Sequence, residues 1–243
     1  MTLAPAATVT SAANVGARRH PAFFPAMSLL LIVFVFLGFA PTYYLRPAAA
    51  GPIPGYLHVH GAAMTAWFLL VLVQTALIAT RRRATHRQLG VAGAIVAVVI
   101  VVLNPLVVAW SVPNLMAVNN SPQLTSLIVV TDLLLVGTFL VLVGLAIHWR
   151  RYPETHSRML LLASLAVSGP ALGRFSLNLT GTPLAGIIGL LSLPLLIVVH
   201  DRVMMKRVHR ASVWGAAAIV GSTVAGIAIS NTAAGGAIVR WLQ

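Results

Sequence analysis

The sequence predicts an all-α protein, a polytopic transmembrane helical bundle of about seven spans. Of its 243 residues, 59% are hydrophobic and only 8% are charged, about a third of the charged fraction of an ordinary soluble domain. The apolar residues also gather into runs of about 20, the length that crosses a bilayer as a helix. This composition excludes an intrinsically disordered chain and a water-soluble globule.

Seven apolar segments meet this length requirement. In chain order they are residues 22–43, 58–80, 89–109, 124–147, 159–177, 184–199 and 211–230. They form one transmembrane domain, residues 22–230. A flexible cytoplasmic N-terminus, residues 1–21, is expected before it. Residues 231–243 follow as a short C-terminal tail that cannot span the bilayer alone.

The first segment has some features of a cleaved signal peptide. Arg18 and Arg19 precede its apolar run, and the small residues 48–51 follow it. The whole element is about 50 residues long, however, whereas signal peptides have about 15–30. We therefore expect the segment to be retained as a helix; its removal would leave six helices in the same orientation.

The basic residues indicate the orientation of the bundle. The chain has 16 Lys and Arg against 3 Asp and Glu, a formal net charge of +13. Of the 16 cations, 13 precede the first span or lie in the loops after the second, fourth and sixth spans. Since cytoplasmic loops carry the excess of Lys and Arg, the N-terminus is predicted inside the cell and the C-terminus outside.

Composition also limits the partners and the cofactors. The arginine clusters are short and separated by apolar runs, so they do not form the basic surface that binds nucleic acid. The lipid bilayer, that of a bacterial inner membrane, is the expected partner, and other membrane subunits are a further expectation. The chain has no Cys, which excludes disulfides, thiolate metal sites and iron–sulfur clusters.

Histidines cluster at the predicted inside ends of the helices. Thr85 and Thr155 are placed to cap two of these helices, so His86 and His156 are expected in first turns, where the helix dipole favours neutral imidazole. A neutral imidazole can bind a metal ion or a haem iron. The candidate ligands are His86, His148, His156, His200 and His209. In the alternative interpretation, which we favour, these residues only anchor the loops at the membrane surface.

Asp132 is the only acidic residue within a predicted span. It lies eight residues from the outer end of its span, roughly 12 Å deep, where ionisable residues are costly and usually functional. The candidate partner is Arg174. Further residues of a predicted outward-facing polar pocket are His60, Gln74, Asn104 and Asn178. Alternatively, Asp132 and Arg174 form a structural pair that binds no ligand, and the sequence does not decide between these interpretations.

No motif in the chain predicts an enzyme. There is no phosphate-binding glycine loop, no His-Glu-x-x-His and no Gly-x-Ser-x-Gly. The last predicted span has no lysine that could form a retinal Schiff base. We therefore expect no catalytic residues.

Two inside loops resemble those of known membrane families. Residues 85–90, Thr-His-Arg-Gln-Leu-Gly, and 155–160, Thr-His-Ser-Arg-Met-Leu, are similar to the His-Arg-x-Leu-Gly and His-x-Arg-Met elements of uncharacterised bacterial multi-span families. They also resemble the loops of a small membrane family implicated in assembling haem–copper oxidases. The resemblance implies the architecture and a redox association, and it carries over no catalytic residues.

Two classes of function follow from these observations. The first is a non-enzymatic accessory or assembly subunit of a membrane complex, such as a respiratory or redox complex, because Gly- and Ala-rich helices permit close packing. The second is a transporter or a haem-, metal- or small-ligand-binding protein that uses the outward pocket around His60, Asp132 and Arg174. An enzyme acting on a lipid or a quinone is a third alternative.

Overall fold

The computed structural model describes residues 22–119 and 121–242, and all regular structure in these ranges is helical. The predicted all-α architecture is therefore confirmed. The N-terminus expected to be flexible, residues 1–21, lies outside the described residues. The helices are α1 (Phe23–Phe39, continued by the π-helical turn Ala40–Tyr44), α2 (Gly55–Ala79), α3 (Arg83–Asn119), α4 (Pro122–His148), α5 (Pro153–Ala166), α6 (Gly169–Thr180), α7 (Leu184–Met204), α8 (Arg210–Ser230) and α9 (Ala233–Trp241).

In the described part of the chain, six helices are long and apolar enough to cross a membrane. Helices α5 and α6 add a seventh span if they are counted as one element bent by 47°. The break falls at Val167 and Ser168, directly before Gly169-Pro170, and proline removes a backbone N–H that a continuous helix would use. The chain is thus an integral multi-pass membrane protein with six to seven spans, and its predicted fifth span is two short helices.

Helix α3 is much longer than the predicted span 89–109. It runs for 37 residues and contains Pro105 and Pro113 without ending at either. The apolar run predicted only the middle of α3. The helix continues at both ends into the interfacial layers, with polar residues that a hydropathy criterion does not count. The predicted polar Asn104 therefore sits inside a continuous helix.

Helix α4 is the centre of the bundle. It packs against α3, α5, α8 and α9, while α2 pairs with α3, and α6 packs against α1 and α7. Side chains from helices α1 to α8 fill the core between them, and the largest buried ones include Leu31, Ile100, Phe139, Leu162, Leu165 and Ile219. This packing places α3 and α6 against α4 in the half predicted to face outside, called the outer half, and brings α5, α7 and α8 together in the half predicted to face inside, called the inner half.

Helices α1 and α6 approach each other at Gly38. A Cβ atom at this position would collide with the backbone carbonyl of Ala171, which cannot move aside. Glycine therefore permits the close backbone contact that small residues provide between membrane helices. The contact fixes α6 against α1 one turn before Arg174.

The predicted C-terminal tail contains the short helix α9. Its nine residues extend about 14 Å, so the helix is too short to span a bilayer. Val239 is buried with Val112 and Val129, and α9 packs against α4 and α8.

Candidate functional site

Three polar side chains from three helices meet in the outer half of the bundle. The Asp132 carboxyl group on α4 lies beside the amide of Asn104 on α3, and it interacts electrostatically with the Arg174 guanidinium on α6. Asn104 is buried, Asp132 is half-buried and Arg174 is exposed. We call Asn104, Asp132 and Arg174 the outer polar cluster; the structure brings these three residues of the predicted pocket together.

Asp132 and Arg174 interact electrostatically but are not in direct contact as an ion pair. Both residues lie in the described part of the chain, and their side chains form no direct ion pair within 4.0 Å. The Arg174 guanidinium instead lies over the ring of Phe39, 5.1 Å from its centroid. Two opposite charges thus face the same region while each keeps hydrogen-bonding capacity that the other does not use.

His60 lies at the depth of the outer polar cluster. Trp67 on α2 contacts Phe139 on α4, with ring centroids 4.9 Å apart. His60 and Asp132 are each seven residues toward the outer end from this contact, a rise of roughly 10 Å on each helix. His60 Nδ1 is buried and has no hydrogen-bond partner. No hydrogen bond or ion pair between the described residues connects His60 to Asp132 or Arg174.

Two other residues of the predicted pocket, Asn178 and Gln74, make contacts outside the outer polar cluster. Asn178 donates a 3.3 Å hydrogen bond from Nδ2 to the carbonyl of Gly38 and so joins α6 to α1. Gln74 lies 14 residues, about 21 Å, along α2 from His60, next to Gly90 and His86 at the inner end. The predicted pocket includes both Gln74 and His60, which share one face of α2 by helical periodicity, but periodicity does not account for the distance along the helix axis.

The sequence does not predict the aromatic residues that cover the outer end of α2. The Tyr43 hydroxyl and His58 Nδ1 are 3.3 Å apart, and the Tyr44 hydroxyl and Thr65 Oγ1 are 2.8 Å apart. A Cβ atom on Gly61 would meet the Tyr43 ring. Tyrosines at a span end are typical of the membrane interface, so their sequence positions alone did not indicate these contacts.

A second polar site lies at the inner end, where Arg158 on α5 binds Asp201 on α7. Arg158 is 3% exposed and Asp201 is fully buried. Arg158 Nη2 donates to Oδ1 at 2.5 Å, and Nε donates to Oδ2 at 3.0 Å. Ser212 Oγ donates to Oδ2 at 2.5 Å, and the backbone N–H of His209 donates to the same oxygen at 3.3 Å. The pair joins α5, α7 and α8, and the sequence analysis did not pair these residues.

His209 has a structural role beside this pair. Its Nδ1 accepts a hydrogen bond from the backbone N–H of Ala211 and caps α8. Burial, and then the positive charge of Arg158, lower the pKa of His209, although the carboxylates of Asp201 and Glu154 oppose this shift. A neutral imidazole suits the cap, because Nδ1 must carry a lone pair to accept this bond.

The predicted inside histidines do not meet at one site. His200 stacks on Phe23, with centroids 3.6 Å apart, and His148 is exposed with its ring 5.7 Å from that of Trp149. His86 and His156 form a separate pair, with ring centroids 6.2 Å apart. Across residues 22–119 and 121–242, no group of three or more His, Asp or Glu side chains is arranged to hold a metal ion.

Comparisons with protein-family models, curated proteins and solved structures produced no match.

Proposed function

We propose that the protein binds a small zwitterionic ligand at the outer polar cluster, as a transporter or a ligand-binding membrane protein. The observation that carries the proposal is the pair of opposite charges, Asp132 and Arg174, which face the same region without a direct ion pair. Ionisable groups are expensive within a bilayer and mark ligand or ion pathways by default.

A comparison within the same molecule supports this interpretation. The buried pair Arg158–Asp201 is closed, and Ser212 and the His209 N–H satisfy the remaining carboxylate lone pairs. A charge pair retained only for structure gains from such saturation, because unsatisfied buried charges are costly. Asp132 has only Asn104 beside its carboxyl group, and Arg174 is exposed, so this second pair lacks the burial and the saturation of a structural pair.

The chemistry of the cluster indicates the class of ligand. Asp132 binds a cationic or hydrogen-bond-donating group, whereas Arg174 binds an anionic or accepting group in its guanidinium fork. Asn104 provides both a donor and an acceptor beside Asp132. A small molecule with opposite charges a few bonds apart satisfies both charged residues at once.

Thermal unfolding in lipid nanodiscs tests the proposal. Glycine betaine and L-alanine serve as zwitterionic probes, and choline and acetate serve as probes with a single charge. A ligand at 100 times its Kd stabilises a protein by about 2.7 kcal/mol, so at least one zwitterion should raise the melting temperature more than either singly charged probe does.

Substitutions within and outside the outer polar cluster test whether the zwitterion response arises there. Asp132→Asn and Arg174→Gln should each abolish the zwitterion response, whereas Arg240→Gln, which removes an exposed outer cation, should retain it. A zwitterion response that survives both cluster variants, or no response to any zwitterion, would contradict the proposal.

An accessory or assembly subunit of a membrane complex, respiratory or redox in kind, is the second candidate function. It is supported by outward helix faces that carry glycine: Gly137 and Gly144 on α4 and Gly221 on α8 have open space where a Cβ atom would lie. Such positions let another helix approach closely. Native mass spectrometry after mild solubilisation from the source membrane tests it, since a stable accessory subunit would retain a partner subunit, whereas a ligand-binding protein would be released without one.

A further inference from the structure

We propose that His86 and His156, together with Gln74, bind a late first-row divalent transition-metal ion at the inner end of the bundle. This metal site is independent of the outer polar cluster and of the ligand proposed for it. It uses two buried polar atoms, His86 Nδ1 and Gln74 Oε1, that have no hydrogen-bond partner.

The two imidazoles have a separation that suits a shared ion. Their ring centroids are 6.2 Å apart and their planes make an angle of 89°. An ion bonded to one nitrogen of each ring at about 2.0–2.1 Å would hold the centroids roughly 5–6.5 Å apart. The observed separation therefore requires only a small side-chain adjustment on binding.

The hydrogen bond of His156 leaves one of its nitrogens available as a ligand. Nδ1 lies 2.9 Å from the backbone carbonyl oxygen of Ala146. Because a carbonyl oxygen only accepts, Nδ1 carries the hydrogen, and Nε2 carries the free lone pair. A hydrogen bond from the second ring nitrogen to a carbonyl is the usual way in which proteins orient a metal-binding histidine.

His86 and Gln74 contribute buried atoms without partners. His86 Nδ1 and Gln74 Oε1 are both buried and form no hydrogen bond, although buried polar atoms are nearly always paired. The His86 ring lies against the backbone of Gln74, and the Gln74 side chain lies beside Gly90, one turn further along α3. An ion held by the two imidazoles would satisfy His86 Nδ1, and we propose that Gln74 Oε1 turns toward it as a further ligand.

The ligand set indicates which ion is bound. Two imidazole nitrogens and one amide oxygen suit Zn²⁺, Cu²⁺ or Ni²⁺, whereas Mg²⁺ and Ca²⁺ prefer all-oxygen sites. Water would complete the coordination, because the described residues offer no third His, Asp or Glu at this site.

Calorimetric titration of the tag-free protein with Zn²⁺ tests the site. We expect one Zn²⁺ per chain, with a loss of affinity of at least tenfold in His86→Ala and in His156→Ala and a smaller loss in Gln74→Ala. His148→Ala is the matched control, because it removes an exposed imidazole at the same end and should leave the affinity unchanged. Equal loss in His148→Ala would show adventitious surface binding and would overturn the proposal.

Electron paramagnetic resonance of the wild-type protein with Cu²⁺ tests the site without a variant that must fold. The expected spectrum shows coupling to two imidazole nitrogens. Coupling to one nitrogen, or no stoichiometric binding, would overturn the proposal. A Soret band in the protein as purified, lost in His156→Ala, would overturn it as well, because it would show that haem occupies these histidines.

Discussion

Arg158 and Asp201 form a closed ion pair in the inner half of the bundle, with Nη2 2.5 Å from Oδ1. The pair is buried, and further donors from the α7–α8 loop and from α8 saturate the carboxylate. Removal of one member of such a pair leaves an uncompensated charge in a dry environment. We infer that this pair fixes the relative positions of α5, α7 and α8.

Arg158→Met should therefore destabilise the protein by about 3–5 kcal/mol. The double variant Arg158→Met with Asp201→Leu should recover part of this loss, because it removes both charges. Reversible unfolding in mixed detergent micelles measures these changes. Arg207→Ala is the control, since its 3.6 Å contact with Glu154 is largely exposed and such pairs contribute little; an equal loss in Arg207→Ala would contradict the assignment.

The stability of the protein should fall when the pH is lowered below about 6.5, the ordinary pKa of histidine. Burial and Arg158 lower the pKa of folded His209 below this value, so the unfolded chain takes up a proton before the folded protein does. The stability from neutral His209 is present above the unfolded pKa and is lost as the pH falls toward the folded pKa.

Unfolding measured between pH 8 and pH 5 in wild type and His209→Asn isolates this contribution. Asparagine keeps a helix-capping oxygen but does not titrate. The difference in stability between wild type and variant should shrink as the pH falls. A difference that stays constant across this range would exclude His209 as its source.

Gly38→Val should disturb the outer polar cluster from a distance. The new side chain would collide with the backbone of Ala171 and would push α6, which carries Arg174, away from α1. We expect a destabilisation of about 1–3 kcal/mol, the usual cost of overpacking, together with loss of the zwitterion response. Unfolding and the nanodisc assay measure the two effects.

Gly93→Ala is the control for this substitution. Gly93 is in helix α3 with no neighbour near its missing Cβ, so alanine should leave the zwitterion response intact and gain up to about 1 kcal/mol from helix propensity. A response lost in Gly93→Ala but kept in Gly38→Val would contradict the account of the α1–α6 contact.

Hydropathy was sufficient to predict the spans but not the break in the fifth span or the ends of the helices. Apolar run length identifies a helix that crosses a membrane, and the number of spans follows from it. It does not record where a helix breaks, as at Val167 and Ser168, or how far a helix continues beyond the hydrocarbon layer, as α3 does to Asn119. These features depend on backbone hydrogen bonding and on the neighbouring helices.

The sequence indicated the part of the candidate site that contains a residue type rare in apolar spans. An acidic residue within an apolar span is conspicuous, so the sequence indicated Asp132 and its neighbours Asn104 and Arg174. The Arg158–Asp201 pair was not predictable, because both residues lie at helix ends among many arginines, and their contact depends on the relative rotation of three helices. Gln74 was assigned to the wrong end because periodicity indicates a face but not a depth.

A double-mutant cycle between Asp132 and Arg174, measured on the stability of the ligand-free protein, tests the central claim most directly. The variants are Asp132→Asn, Arg174→Gln and their combination, and the cycle isolates the energy of interaction between the two side chains. Because the two charges do not form a direct pair, we predict a coupling energy of about 1 kcal/mol or less, in the range of weakly interacting charges. A coupling of about 3 kcal/mol or more, the scale of a buried closed pair, would contradict the account and make Asp132–Arg174 a structural pair.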